Sequence, residues 1–294
     1  MKLRSFFWNN FHIQNENADY IDFSFNNFRH RLLKKDHDCG VESVNFIEFT
    51  VQEILQENFL NILEENLKKN HIRKLFFRIN PIIEKGDNIN KCLELLLSKN
   101  YSFRKTKCII LNLKQEINVL RSNIRKSYKS LINKENKILD IRFSNIDSSK
   151  QEIFNSWINI YSKAISRGGK KISHNSIELL KKCVENQECI IALAYEKKKA
   201  VGGMLFYIEK NLATYSAAAN ISLIEEDRKR SVGHYLMWNS IVHLKDKGIK
   251  FLELGTLENY KDDNIKNYNI SKFKSGFGGE ELLEYYLKKS FLIL

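Results

Sequence analysis

Ten residues near the C-terminus, Ser271 to Glu280 (SKFKSGFGGE), hold three glycines, two lysines and two phenylalanines, in a chain with twelve glycines and one proline in all. Gly276, Gly278 and Gly279 leave the backbone permissive and let another group come close. Lys272 and Lys274 supply positive charge, which a site uses to hold or stabilise an anion. Phe273 and Phe277 supply apolar anchors. A surface tail has no need of this combination, whereas a site does. A second basic constellation, Arg121, Arg125 and Lys129, falls at i, i+4 and i+8 beside the apolar stripe Ile117, Leu120, Ile124, Tyr128, Leu131. That row suits a polyanion, or simply faces solvent. Other chemistry-bearing patterns are missing. KDHDCG (35–40) has metal-ligand residue types, but its spacing fits no zinc site. His174, His234 and His243 fall in different helical stretches without paired Cys/His spacing. The sequence contains no GxSxG, no GxxxxGK[ST] and no GxGxxG. No metal is expected.

The elements that must position these residues alternate between strand and helix, which predicts an α/β (α+β) chain. VNFIEFT (44–50) predicts a strand, with Thr50 and Glu53 as a capping box for a helix over 51–70 whose face is Val51, Leu55, Phe59, Ile62, Leu63 and Leu67. KLFFRI (74–79) is a short strand stopped by Pro81, followed by a helix from Ile89 and a strand over 107–113. One continuous helix is predicted over 114–137. The second part opens with a strand over 137–143 and helices over 151–166 and 175–186. Strands over 189–196, 199–208 and 212–219 have tight turns between them, which predicts an antiparallel meander. A long helix ends at Gly248, placed as a C-cap, and a strand over 249–255 follows. The order of helix and strand over 51–113 is echoed over 231–255. Two related α/β halves are therefore expected, 1–114 and 138–294, joined by a basic helix over 115–137.

Composition sets bounds on this picture. A chain of 294 residues suits one large domain or two medium ones, and 43% apolar with 12% aromatic residues marks a folded protein. The net charge of +13 suits nucleic acid, a phosphorylated substrate or an anionic membrane surface. The alternative is compositional drift, since the chain is rich in Lys, Asn and Ile. Five cysteines without a CxxC pair predict reduced structural thiols and a cytoplasmic protein. The N-terminus lacks the apolar run of a signal peptide, and no stretch approaches the roughly 20 apolar residues that span a bilayer.

Two helices, a meander, a long helix and a further strand make the second half resemble the GNAT superfamily of N-acetyltransferases. Those proteins hold the pyrophosphate of acyl-CoA on an [RQ]-x-x-G-x-[GA] turn at a helix N-terminus. The matching stretch here is Arg230 to Tyr235, and its last position is Tyr instead of a small residue. The resemblance therefore implies weak or absent acyl-CoA binding, with the tyrosine ring crowding the pyrophosphate. FFRINP (76–81), LNLKQEINVLRSNIRKSYK (111–129) and FLELGTL with ISKFKSGFGGE (251–280) together resemble the FemABX-like branch, over roughly residues 40–285. Members of that branch have two GNAT-like halves with the active-site cleft between them.

The FemABX-like resemblance implies an N-acyltransferase that moves an aminoacyl group from aminoacyl-tRNA, or an acyl group, to an amine of a cell-envelope precursor or surface-glycan sugar. Lys274 matches the lysine of the family's Phe-Lys pair and implies stabilisation of the tetrahedral oxyanion, with Phe273 packed beside it and the glycines letting the loop lie close to substrate. Arg167 resembles an arginine that contacts a phosphorylated substrate, although Lys171 stands where the family has a tyrosine. Tyr215 resembles a tyrosine that faces the cleft. Arg125 and Gly278 complete the expected substrate-binding set. No bound cofactor is implied; aminoacyl-tRNA or acyl-CoA would be the co-substrate. The long coiled-coil arm of some family members has no counterpart in this sequence. The implied location is cytoplasmic, extending to the inner face of the membrane. Two alternatives stand beside this reading: an acyl-CoA-dependent acetyltransferase, and a non-enzymatic module that binds nucleic acid or membrane through the Arg121–Lys129 row.

Overall fold

The computed structural model describes residues 20–25, 28–35, 43–49, 51–79, 88–145, 150–169, 171–221, 231–257 and 265–291, with backbone only before residue 51. KDHDCG beyond Lys35, Thr50 of the capping box, the Pro81 turn and Arg230 lie outside the described residues. The chain divides into two compact units, Met1–Lys107 with Leu282–Leu294, and Cys108–Glu281.

In the first unit, β1 (Tyr20–Phe25), β2 (Phe28–Lys35) and β3 (Ser43–Phe49) form an antiparallel run, and β3 pairs parallel with β4 (Lys74–Ile79). Parallel neighbours need a crossover. It is made by two short helices, α1 (Val51–Ile54) and α2 (Phe59–Lys69), where one long helix is expected from the apolar pattern. The break is at Asn58, whose φ of 64° is left-handed. Phe59, Leu63 and Leu67 are buried as the pattern requires, but Ile62 is exposed. Helix α3 (Asn88–Ser98) and the start of β5 (Ser102–Asn112) follow, and the last strand of the chain, β11 (Glu280–Ser290), pairs antiparallel with β4. That pairing places Leu287 and Phe291 in this unit's core with Phe59, Leu75 and Phe77. It also sets Glu284, which is fully buried, against the guanidinium of Arg78, with the Thr106 hydroxyl donating to the same carboxylate. The C-terminal strand thus belongs with the N-terminal unit. This differs from a half beginning at residue 138, because a strand's partner is not written in its own sequence.

In the second unit the strand order is β5-β10-β9-β8-β7-β6, with β6 Leu139–Phe143, β7 Cys189–Glu196, β8 Lys199–Glu209, β9 Leu212–Asn220 and β10 Phe251–Leu257. β7, β8 and β9 form the expected antiparallel meander, turning at Lys197 and Lys210 with positive φ. β9 pairs parallel with β10, so this unit repeats the strand–helix–strand arrangement of β3 and β4. The helices are α4 (Ile117–Ser122), α5 (Lys126–Glu135), α6 (Lys150–Ser166), α7 (His174–Glu185) and α8 (Val232–Asp246). Alternation along the strands sends Ala192, Met204, Phe206, Ala213, Leu252 and Leu254 to one core with Leu236, Met237 and Ile241 of α8. Each large apolar side chain buried there contributes on the order of 2 kcal/mol. Trp157 of α6 is fully buried against the opposite face.

The expected connecting helix over 115–137 is not continuous, and it belongs to the second unit. α4 ends at its C-cap Asn123, and Arg125, extended at φ −50° and ψ 134°, is the N-cap of α5. Its N–H donates to the Gly276 carbonyl at 2.9 Å instead of continuing the helical ladder, while Ile124 stays buried. A tertiary hydrogen bond outcompetes helix propensity here.

Candidate active site

Pairing between β9 and β10 stops at Thr214 with Glu253, although the strands continue to Asn220 and Leu257. Beyond that pair the two strands part, and the ends of α8 and of α9 (Ile265–Ser275) come to the opening. Lys274 was expected on a loop. It lies instead in the last turn of α9, a helix that the weak amphipathicity of IKNYNISKFKS does not announce.

The Lys274 ammonium donates to the Thr256 carbonyl at 2.9 Å. Gly255 makes this contact possible. Its φ of 83° bends β10, and a Cβ there would stand 3.3 Å from Lys274 Nζ. Lys274 is therefore half-buried and held at the point where the sheet opens. Phe273 turns the other way and covers the first turn of α8, with its ring 3.7 Å from where a Cβ on Gly233 would lie. Around it are Phe277 at 5.1 Å, His234 at 5.2 Å and Tyr128 at 6.4 Å between ring centroids. His234 packs edge-on against Tyr128 at 4.2 Å, and burial pushes its imidazole below the usual histidine range, favouring the neutral form. The Tyr128 hydroxyl donates to the Lys272 carbonyl at 3.2 Å.

Arg167 follows α6 and is exposed, and its guanidinium donates to the carbonyl of Asn220, the last residue of β9, at 3.0 Å. The Asn220 amide in turn lies 3.9 Å from the Cβ position of Gly233. Tyr215 sits where β9 leaves β10, half-buried on Phe206 at 5.9 Å; burial raises its phenol, which stays protonated. Arg167 thus reaches the end of β9, beside the turn of α8 that Phe273 covers, Lys274 is tied to β10, and Tyr215 lies on β9 just past its last pair with β10. Arg125 and Gly278 lie against other neighbours. The Arg125 guanidinium is exposed over the Tyr128 ring at 5.2 Å. Gly278, with φ 79°, abuts Asn123, and the missing side chain of Gly276 makes room for the Tyr128 ring. These glycines admit the chain's own side chains, not a substrate as expected.

Of the basic row, Arg121 stacks over Trp238 at 4.7 Å and donates to Asn133 at 2.7 Å, while Lys129 donates to the Ser122 carbonyl at 2.8 Å. These two clamp α4, α5 and α8 together. Tyr235 also departs from expectation. Its ring is buried in the core with the hydroxyl donating to the Leu139 carbonyl at 2.8 Å, so it does not crowd the helix N-terminus. Phe273 and Glu135 stand there instead, the Glu135 carboxylate accepting from the Ser231 N–H at 3.1 Å. Sequence reasoning missed His234, Glu135, Asn220 and Thr256. Only His234 had a signal, its place directly after Gly233 in the turn quoted above. Among the described residues no cluster of His, Cys, Asp and Glu could hold a metal ion, and no helix is long and apolar enough to cross a membrane.

Neither a protein-family model nor a curated protein sequence matches the chain. In fold it is similar to a crystal structure of FemX, with a TM-score of 0.66 and 12% identity over 92% of this chain and 87% of that one. It is also similar to the C-terminal domain of a putative lysylphosphatidylglycerol synthetase from Agrobacterium fabrum (TM-score 0.58, 10% identity, 89% and 81% covered). A third similar structure is L-PGS from Bacillus licheniformis (TM-score 0.57, 12% identity, 87% and 80% covered). The chain therefore has a fold like that of FemX.

Proposed function

We propose that the chain is an N-acyltransferase that moves an aminoacyl group from aminoacyl-tRNA to an amine of a phosphorylated cell-envelope precursor or surface-glycan amino sugar. The observation that carries this reading is Lys274, anchored on the Thr256 carbonyl where β9 and β10 part. The acceptor nitrogen attacks the ester carbonyl, forming the C–N bond and placing negative charge on the carbonyl oxygen. Lys274 stabilises that oxyanion, an effect worth a few kcal/mol in a dry site. Collapse re-forms the carbonyl and breaks the C–O bond, and the proton lost by the amine ends on the released hydroxyl. No covalent enzyme intermediate forms. Phe273 covers the first turn of α8 beside the opening, Tyr215 offers a neutral phenol to the acceptor, and Arg167 supplies a cation for its phosphate. The folds shared with FemX and lysylphosphatidylglycerol synthetase support an aminoacyl cargo.

Mass spectrometry of acceptor pools from cells with and without the gene tests the reading, with an added amino-acid residue as the expected shift. On the acceptor so identified, Lys274→Ala should lower kcat about 100-fold or more and change KM little, because the contact strengthens in the transition state. Wild-type turnover by Lys274→Ala refutes the mechanism.

A further inference from the structure

The N-terminus of α8 is where this fold presents free N–H groups and the positive end of a helix dipole. In this chain that end already holds an anion. Glu135, the last residue of α5, is 2% exposed, and its Oε1 accepts from the Ser231 N–H at 3.1 Å. Its Oε2 is buried and has no hydrogen-bond partner among the described residues. A buried carboxylate with one oxygen unpartnered is costly to keep unless something opposes the charge, and the helix terminus does so. The Ser231 side chain makes no cap of its own, so the chain's only described side-chain oxygen on this terminus comes from α5. Phe273 lies over the same turn, at Gly233.

We infer that Glu135 is a specificity-determining residue: a built-in anion bound to the N-cap N–H of α8 that keeps a diphosphate from that helix end. The donor is then not a coenzyme A thioester docked through its pyrophosphate. It is an activated acyl ester whose phosphates are recognised elsewhere. This deepens the reading above and rests on it for the word donor, but the turn's occupancy is measurable without turnover, so the two fail separately.

The probes are inorganic pyrophosphate and coenzyme A, titrated calorimetrically into the full chain at low salt. Wild type should show no binding of either up to millimolar concentration. Glu135→Gln keeps the shape and the acceptor for Ser231 while removing the charge, and should bind pyrophosphate at least tenfold more tightly. Glu135→Ala, which also vacates the space, should gain more, and pyrophosphate should raise its Tm but not that of wild type. If Glu135→Ala does not fold, Glu135→Gln decides the matter. Micromolar binding of either probe by wild type overturns the inference, and so does the absence of any gain in Glu135→Gln.

Discussion

Replacing Gly278 by Val tests whether the turn between α9 and β11 needs a glycine for its own packing. Two penalties add. The backbone sits at φ 79°, and a residue with a Cβ pays about 1–2 kcal/mol in that region. The Cβ would also stand 2.9 Å from Asn123 Cβ and 3.1 Å from the Asn123 carbonyl oxygen, which is backbone and cannot rotate away. Overpacking of this kind costs about 1–3 kcal/mol more. Gly169 provides the control: its φ is 72°, but nothing lies within 4 Å of its Cβ position. Gly169→Val therefore pays the first penalty alone. Urea denaturation followed by circular dichroism should place Gly278→Val about 1–3 kcal/mol below Gly169→Val. Activity should fall as well, because the Gly278 N–H bonds to the Ser275 carbonyl at the end of the helix that carries Lys274. Equal destabilisation by the two variants refutes the packing argument.

Three further outcomes are expected. His243 is stacked on Phe143 at 3.8 Å, and burial first, then the charge of Lys247, pushes its pKa down to about 4. Between roughly pH 6.5 and that value the unfolded chain binds the extra proton, so stability is lost on acidification, by at most about 3 kcal/mol. His243→Gln, which can still bond Asn145, should flatten that limb of the stability–pH curve, and an unchanged limb refutes the assignment. Arg78→Met leaves the carboxylate of Glu284 buried without its cation and should cost about 3–5 kcal/mol in denaturant; adding Glu284→Leu should recover much of it. An uncorrected loss in the double variant would show that the pair's charge is not what matters. Tyr235→Phe removes the bond to Leu139 O and should cost about 1 kcal/mol in the same assay.

Strand–helix alternation, the meander over 189–220 and the long helix before β10 were legible because each follows from local periodicity and turn chemistry. Motif residues led to the ends of β9 and β10, where Lys274 bonds Thr256 and Arg167 bonds Asn220. What the glycines are for was not legible, for a reason local patterns do not carry. Gly276 and Gly278 accommodate Tyr128 and Asn123, which lie some 150 positions earlier in the chain.

The amino-acid sequence by itself determined which segments bury which faces, and that a lysine beside a phenylalanine stands next to a glycine-rich turn. Hydrophobic period and backbone permissiveness are properties of a few consecutive residues. Only the tertiary structure decided that Lys274 bonds Thr256, that Tyr235 points inward while Phe273 and Glu135 hold the α8 terminus, and that the last strand completes the first unit. Each of these is a pairing between distant residues, chosen by competition among partners for buried hydrogen bonds and space, and no single segment encodes its outcome.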